Sequence, residues 1–325
     1  AGRARTLPEA GLCMKTLKKQ WQEVVGAYQY VLTLLFMGER SRTCGPQGNK
    51  GRGWLRKAGA SLAWTPDCKG RGRGQRSIGD MLVKTAELPP DRNYGLVSHP
   101  HGILATGTAC NFATEGNDFS QQFLGLPPSV AVLRVLFHFP VYREYVMSYG
   151  LCSVNHHSLD FILSQPQLGQ AVVIVVGGAH ESLYAISGEH CLTLRNRKGF
   201  VRLALRHNAS LVPVYSFGEN DIFRLKAFAT DSWQYLCQTT FKKLLGFSPC
   251  IFWVRGFFSA NSWGPLPGPS PLWVMGRPIP VPQCLQPTEE EVDHYHKLYM
   301  EALEQQFEEH KESCSVPDSA HFTFI

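Results

Sequence analysis

The rhythm of apolar and polar positions changes twice along the chain. Residues 24–38 are uncharged and mostly apolar, with Tyr28, Tyr30, Leu34, Leu35 and Phe36, and the run ends abruptly at Glu39-Arg40. It falls short of the roughly 20 residues that a helix needs to cross a bilayer. It reads instead as an interfacial helix, drawn to anionic headgroups by Lys15, Lys18 and Lys19, or as a helix buried in a core. Residues 39–80 have neither helical nor strand periodicity and hold nine glycines, so they read as a flexible insert. From Met81 onward apolar runs and amphipathic stretches alternate, which divides the chain into an N-terminal segment (1–38), an insert (39–80) and one catalytic-sized domain (81–325).

Within that domain residues 93–98 form a short strand candidate. Residues 171–176 (Ala-Val-Val-Ile-Val-Val) and 210–217 are continuous apolar, β-branched runs of the kind buried on both faces of a sheet. Pro213 inside the second run suggests a strand edge or a bulge. Helices are predicted over 158–165, 199–207 and 231–245, and late strands over 250–257 and 272–275, separated by the Pro/Gly-rich loop 264–271. The last helix has the clearest signature: Thr288 and Glu291 form a capping box, and Val292, Tyr295, Tyr299, Leu303 and Phe307 recur at helical spacing. The alternation predicts an α/β fold, with a mixed, mostly parallel sheet and flanking helices.

Composition narrows the class. Of 325 residues, 44% are hydrophobic and 18% charged, which excludes a disordered chain, a coiled coil and collagen. The ten cysteines include no C-x-x-C pair, so neither a disulfide framework nor a zinc ribbon is expected, and reduced thiols facing the cytosol are. The net charge of +6 suggests nucleic acid until it is located. Residues 39–80 carry ten Lys or Arg against three acids, so the rest of the chain is close to neutral. The insert lacks the interleaved aromatics of a stacking platform, having only Trp54 and Trp64, and nucleic acid is not an expected partner.

Three constellations carry candidate chemistry. Ser98-His-Pro-His-Gly102 follows a strand, where α/β sheets place ligands; Pro100 fixes the backbone between two imidazoles and Gly102 permits a tight turn. His99 and His101 fit general-base catalysis, metal ligation or a structural pair. Gly177-Gly178-Ala-His-Glu181 ends another buried strand: the glycines admit a substrate to the backbone and Glu181 could orient a histidine, or simply cap a turn. Lys198, Arg202 and Arg206 recur every fourth residue after Arg195-Asn-Arg197, a cationic stripe that suits phosphates or a solvated face. His156, His157 and Asp160 read as surface. No G-x-S-x-G elbow, Walker loop, G-x-G-x-x-G or H-E-x-x-H motif is present.

His99-Pro-His-Gly102, Phe139-Pro-Val-Tyr-Arg143-Glu144, Gly177-Gly-Ala-His-Glu181, Arg197-Lys-Gly-Phe200 leading to residues 211–220, and Gly276-Arg-Pro-Ile-Pro-Val-Pro282 occur in the order seen in the type-2 diacylglycerol acyltransferase family. The chain from about Met81 to Ile325 resembles its monoacylglycerol acyltransferase branch. The resemblance implies an endoplasmic-reticulum membrane enzyme, with its catalytic part facing the cytosol, that moves a fatty acyl group from acyl-CoA to mono- or diacylglycerol. It also implies a fold similar to that of the glycerol-phosphate acyltransferases. Acyl-CoA is then a co-substrate, no cofactor or metal is needed, membrane lipid is a partner, and a homo-oligomer is compatible.

Acyl transfer from a thioester needs a base, donors for an oxyanion and a seat for phosphates. His101 is the expected base, Glu181 its orienting acid, and His99 shapes the turn or shares the proton. Backbone N–H groups around Gly102 are the candidate oxyanion donors, Gly177 and Gly178 admit the substrate, and Pro100, Arg143, Arg197, Lys198 and Asn220 are expected to bind it, the cations through phosphate. Two features depart from the family: the polar 39–80 insert stands where relatives continue into an apolar membrane hairpin, and Asn208 stands where they have glycine. Two function classes follow, a working acyltransferase and an acyltransferase-shaped lipid binder that has lost activity with its anchor.

Overall fold

The computed structural model describes residues 82–113, 117, 119–138, 142–246, 248–253 and 272–325. The interfacial segment 24–38, the insert 39–80 and the loop 264–271 lie outside the described residues, as do Phe139 and Pro140 and the second half of the strand predicted over 250–257.

The described strands are β1 (Leu82–Lys84), β2 (Tyr94–His99), β3 (Pro128–Val132), β4 (Leu151–Ser153), β5 (Ala171–Val175), β6 (Cys191–Leu192), β7 (Ser210–Phe217), β8 (Arg224–Leu225), β9 (Phe252–Trp253), β10 (Leu272–Met275) and β11 (Thr323–Phe324). Seven of them form one sheet in the order β1-β10-β7-β2-β5-β3-β4. β7, β2, β5, β3 and β4 run parallel, β10 is antiparallel to β7, and β1 follows β10. This is the mixed, mostly parallel sheet that the unbroken apolar runs predict. Every residue of β2 and β7 is buried, because helices cover both faces.

The α-helices are α1 (Thr106–Thr108), α2 (Phe119–Gln122), α3 (Tyr142–Ser148), α4 (His156–Leu163), α5 (Gly178–Glu181), α6 (Gly199–His207), α7 (Trp233–Leu245) and α8 (Glu289–Lys311). α8 begins as its capping box requires: Glu291 N donates to Thr288 Oγ1 at 3.2 Å and Thr288 N donates to Glu291 Oε2 at 2.8 Å. Its Val292, Tyr299, Leu303 and Phe307 enter one core with α4, α6 and one face of the sheet. Each such side chain contributes on the order of 2 kcal/mol of apolar burial. The other face packs Phe112, Phe119 and Trp273 against Leu96, Val173 and Val212. Asn208 ends α6 at φ 49°, ψ 39°, so it does occupy the left-handed position that asparagine tolerates.

Pro213 sits opposite a bulge, one of the two readings its place in the run suggested: Met275 pairs with Val214 and Ile279 with Leu211, so the chain after β10 carries one extra residue there, and Gly276 N donates to the Pro213 carbonyl at 2.8 Å. Val130, Ala131 and Val132 belong to β3, between β5 and β4, with Val130 and Ala131 buried. The basic stripe of α6 is neutralised: Lys198 pairs with Asp293, Arg202 with Glu289 at 2.6 Å, and Arg206 with Asp160 at 3.1 Å. These pairs lace α6 to α8 and α4, and at such exposure each contributes little stability.

The order of strands decides where chemistry can occur. The chain leaves β2 toward β3 and β4 on one side, returns to β5, and then crosses to β7 on the other, so the carboxyl ends of β5, β2 and β7 stand side by side. Such reversals of direction are where open α/β sheets hold ligands. Pro100-His101, Gly177 and Gly218-Glu219 emerge from those three ends.

Candidate active site

The loop after β2 splits its two histidines between core and cleft. The His99-Pro100 peptide is cis. His99 is fully buried on the α8 face, with Nε2 3.0 Å from Tyr299 Oη. Burial pushes its pKa down to about 3, so it stays neutral and does not share a proton at neutral pH. His101 is half-buried beyond the turn. Its Nδ1 lies 2.9 Å from Gly102 O; a carbonyl only accepts, so Nδ1 carries the proton and Nε2 keeps its lone pair. Burial lowers the His101 pKa, and the bond to Gly102 opposes this. The ring is therefore neutral at pH 7, with Nε2 unprotonated.

Glu181 holds this turn by its main chain. Its Oε1 accepts from His101 N at 2.6 Å and its Oε2 from Thr193 N at 2.7 Å. The expectation that Glu181 orients the imidazole is thus replaced: one carboxylate joins the β2 loop, the β5 turn and the segment after β6. The acid is 2% exposed. Burial raises its pKa to about 7 against the pull of both N–H groups and of the Arg197 charge. Gly177 is needed for this contact, since a Cβ there would fall 2.1 Å from Glu181 Oε2. Gly178 adopts φ +58° with open space around it, which turns the chain into α5.

A second buried acid escaped the sequence reading. Glu219, just beyond β7, accepts from Gly107 N at 3.2 and 3.1 Å and from Ser216 Oγ at 3.3 Å. Burial raises its pKa to about 7, and these donors oppose the rise. Gly102, at φ +59°, leans on it, for a Cβ there would meet Glu219 Cγ at 2.8 Å. Gly107 has even less room: its Cβ would meet Glu219 Oε2 and Trp273 Nε1, each at 2.3 Å. Two acids on neighbouring strand ends therefore grip the His101 loop from either side. In sequence, an acid after Phe217-Gly218 looks like an ordinary turn residue.

The cations divide. Arg197 is close enough to lower the pKa values of Glu181, His180 and Lys242, and no ion pair joins Arg197 or Lys242 to an acid among the described residues. Lys242 of α7 was not anticipated, because a Lys pair near a helix end has no distinctive spacing. α7 is tied to the glycine turn by Tyr184 Oη to Tyr235 Oη at 2.8 Å. Lys198 is instead turned toward Asp293, and Arg143 is exposed on α3, beside the far strand β4. Asn220 is buried beyond β7, its Nδ2 donating to Glu189 O at 3.0 Å. His156 and His157 are exposed, as expected. Among the described residues no group of three His, Cys, Asp or Glu could hold a metal ion.

Comparison with known proteins adds to this geometry. "2-acylglycerol O-acyltransferase 3" of Homo sapiens is 63% identical over 96% of this chain and 96% of its own length. "Diacylglycerol O-acyltransferase 2" of Rattus norvegicus is 49% identical, and that of Homo sapiens 48%, each over 74% of this chain and 62% of its own length. Among solved structures, a 1-acyl-sn-glycerophosphate acyltransferase from Thermotoga maritima matches 88% of this chain and 97% of its own at 11% identity, with a TM-score of 0.39. The family model described as Diacylglycerol acyltransferase matches residues 80–324. With that match spanning the domain that carries both buried acids and the His101 turn, the chain belongs to the diacylglycerol acyltransferase family.

Proposed function

We propose that this protein transfers a fatty acyl group from acyl-CoA to a hydroxyl of monoacylglycerol, and of diacylglycerol, with His101 as general base. The observation that carries this reading is the His101 ring, neutral, with Nδ1 on Gly102 O and Nε2 unprotonated, beside the adjacent carboxyl ends of three parallel strands. Nε2 takes the proton of the acceptor hydroxyl as its oxygen attacks the thioester carbonyl. That attack forms the C–O bond and gives the tetrahedral intermediate, whose collapse breaks the C–S bond while the imidazolium returns the proton to the departing thiolate. The N–H of His101 is committed to Glu181, which leaves that of Gly102 as the donor proposed for the oxyanion. His99 and Glu181 act as positioning residues. Arg197, with Lys242, is proposed to seat the phosphates of coenzyme A, and Lys198 and Arg143 take outlying parts.

Transfer of labelled oleoyl from its CoA ester to 2-monoacylglycerol tests this reading, and its pH dependence is specific. As pH falls, Glu181 and Glu219 protonate first, near 7, and weaken their grip on the loop; the His101 base is lost only below 6.5. The value of kcat/KM is expected to start falling near pH 7 and to steepen below 6.5. A profile flat down to pH 5 would contradict the assignment.

We place the protein at the endoplasmic-reticulum membrane, with its catalytic part facing the cytosol. Among the described residues no helix is long and apolar enough to cross a membrane. The support is α7, whose exposed face is apolar: Trp233 is 70% exposed, Leu236 65% and Leu244 77%, in helical register with Phe241 and flanked by exposed Lys243. That combination suits an anionic lipid surface. Replacing Trp233, Leu236 and Leu244 by serine is expected to reduce co-flotation of the full chain with phosphatidylcholine–phosphatidylserine vesicles several-fold. Unchanged flotation would mean that something else covers this face.

A further inference from the structure

The chain after α8 folds back onto β6. Ser315, at φ 58°, turns it away from the helix, and the buried Lys311 holds the return by donating from Nζ to Asp318 O at 2.9 Å. Phe322 and Phe324 then alternate with Thr323, as one face of a strand requires. Phe322 lies against Phe307 and Tyr215, with ring centroids at 4.3 and 5.1 Å, so the core fixes where this segment runs. It forms β11, which pairs in parallel with β6: Thr323 N donates to His190 O at 3.1 Å and Ile325 N to Leu192 O at 2.9 Å. Ile325 O in turn accepts from Leu194 N at 3.1 Å and from Arg195 N at 3.3 Å. Among the described residues β6 has no other strand partner.

Thr193 stands between the two residues whose main-chain groups β11 takes up. Leu192 O and Leu194 N face β11, and along an extended chain successive peptide groups point to opposite sides, so Thr193 N faces away from it. There it donates to Glu181 Oε2 at 2.7 Å, while Glu181 Oε1 accepts from His101 N at 2.6 Å. Leu192 and Leu194 anchor the segment by fully buried side chains, and the bonds to β11 on either side of Thr193 set the direction of its N–H. A two-residue strand with no partner would leave that direction unfixed. We infer that β11 is a positioning element of the acyl-transfer site: by holding the main chain of 192–194 it aims Thr193 N at Glu181, and so keeps the His101 turn in place. The inference rests on the acyl-transfer reading above and extends its machinery to residues 323–325.

Proline and alanine at the same two positions of the full chain test it. Thr323→Pro and Ile325→Pro each delete an N–H that bonds the β6 segment, whereas Thr323→Ala and Ile325→Ala keep it. Phe324, in the strand, already has the extended backbone that a proline at 325 demands of it. Both proline variants are expected to lower kcat for oleoyl transfer, per folded molecule, about tenfold, with KM for 2-monoacylglycerol within about twofold; both alanine variants should stay within about twofold of wild type. In hydrogen–deuterium exchange, peptides covering Thr193 and His101 are expected to exchange about tenfold faster in the proline variants alone. A proline variant that melts earlier but keeps its kcat, or whose His101 peptide stays as protected as in wild type, overturns the inference, for β11 is then a stabilising strand only. Alanine variants that lose as much as the proline variants overturn it too, by giving the effect to side chains. Should wild type fail to transfer acyl groups, the acyl-transfer reading falls alone, and faster exchange at His101 confined to the proline variants still assigns the link. Should Thr323→Pro not fold, Ile325→Pro decides.

Discussion

Replacing His101 by alanine is expected to lower kcat for oleoyl transfer by about 10²- to 10⁴-fold, the usual contribution of a positioned general base, with KM for both substrates nearly unchanged. The base meets the acceptor proton only as the C–O bond forms, so its loss falls on the transition state rather than on binding. Membranes from cells that lack other such activities, expressing wild type or His101→Ala, provide the measurement. Added imidazole is expected to restore part of the rate, because the variant leaves a space where the ring stood. Undiminished transfer in the variant would remove His101 from the reaction.

Gly177→Ala is expected to cost about 1–3 kcal/mol of stability, as overpacking does in a filled site. The added methyl would lie 2.1 Å from Glu181 Oε2 and 2.2 Å from Cδ, and the carboxylate has no empty volume to enter, being 2% exposed. The carboxylate must shift, stretching its bonds to His101 N and Thr193 N. Displacement of the His101 loop by even about 1 Å can cost about 10² in rate, so the same variant should lose activity beyond its loss of stability. Gly178→Ala is the control: it meets nothing within 4 Å and bears only the strain of φ +58°, about 1–2 kcal/mol. Thermal denaturation and transfer assays on the two variants separate packing from strain, and equal activity losses would refute the role given to Gly177.

Long, uniform features of this chain were legible in its sequence. β5 and β7 follow from unbroken β-branched runs, α6 from residues 199–207, and α8 from its capping box and apolar spacing. β1, β3 and β4 were not, because three to five residues carry too little periodicity and β3 begins at a proline. The site was legible as a set of residue types at strand ends: His101, Gly177 and Glu181 do meet. Which atoms meet was not legible. Glu181 bonds main-chain N–H groups rather than an imidazole, and Lys198 turns to Asp293. Both outcomes depend on the crossing of α8 and on the sheet order, which no local pattern encodes. Glu219 was missed for the same reason, since its partner Gly107 lies 112 residues away.

Because Glu181 grips peptide hydrogens, its hold on the loop does not depend on which side chains stand at positions 101 and 193. Every residue except proline offers the same N–H. The two positions are therefore free to be randomised for chemistry without dismantling the scaffold, which is uncommon for partners of a buried acid. A chain emptied of its base at 101 should survive as an inert decoy, able to hold both substrates unreacted long enough for their complex to be trapped.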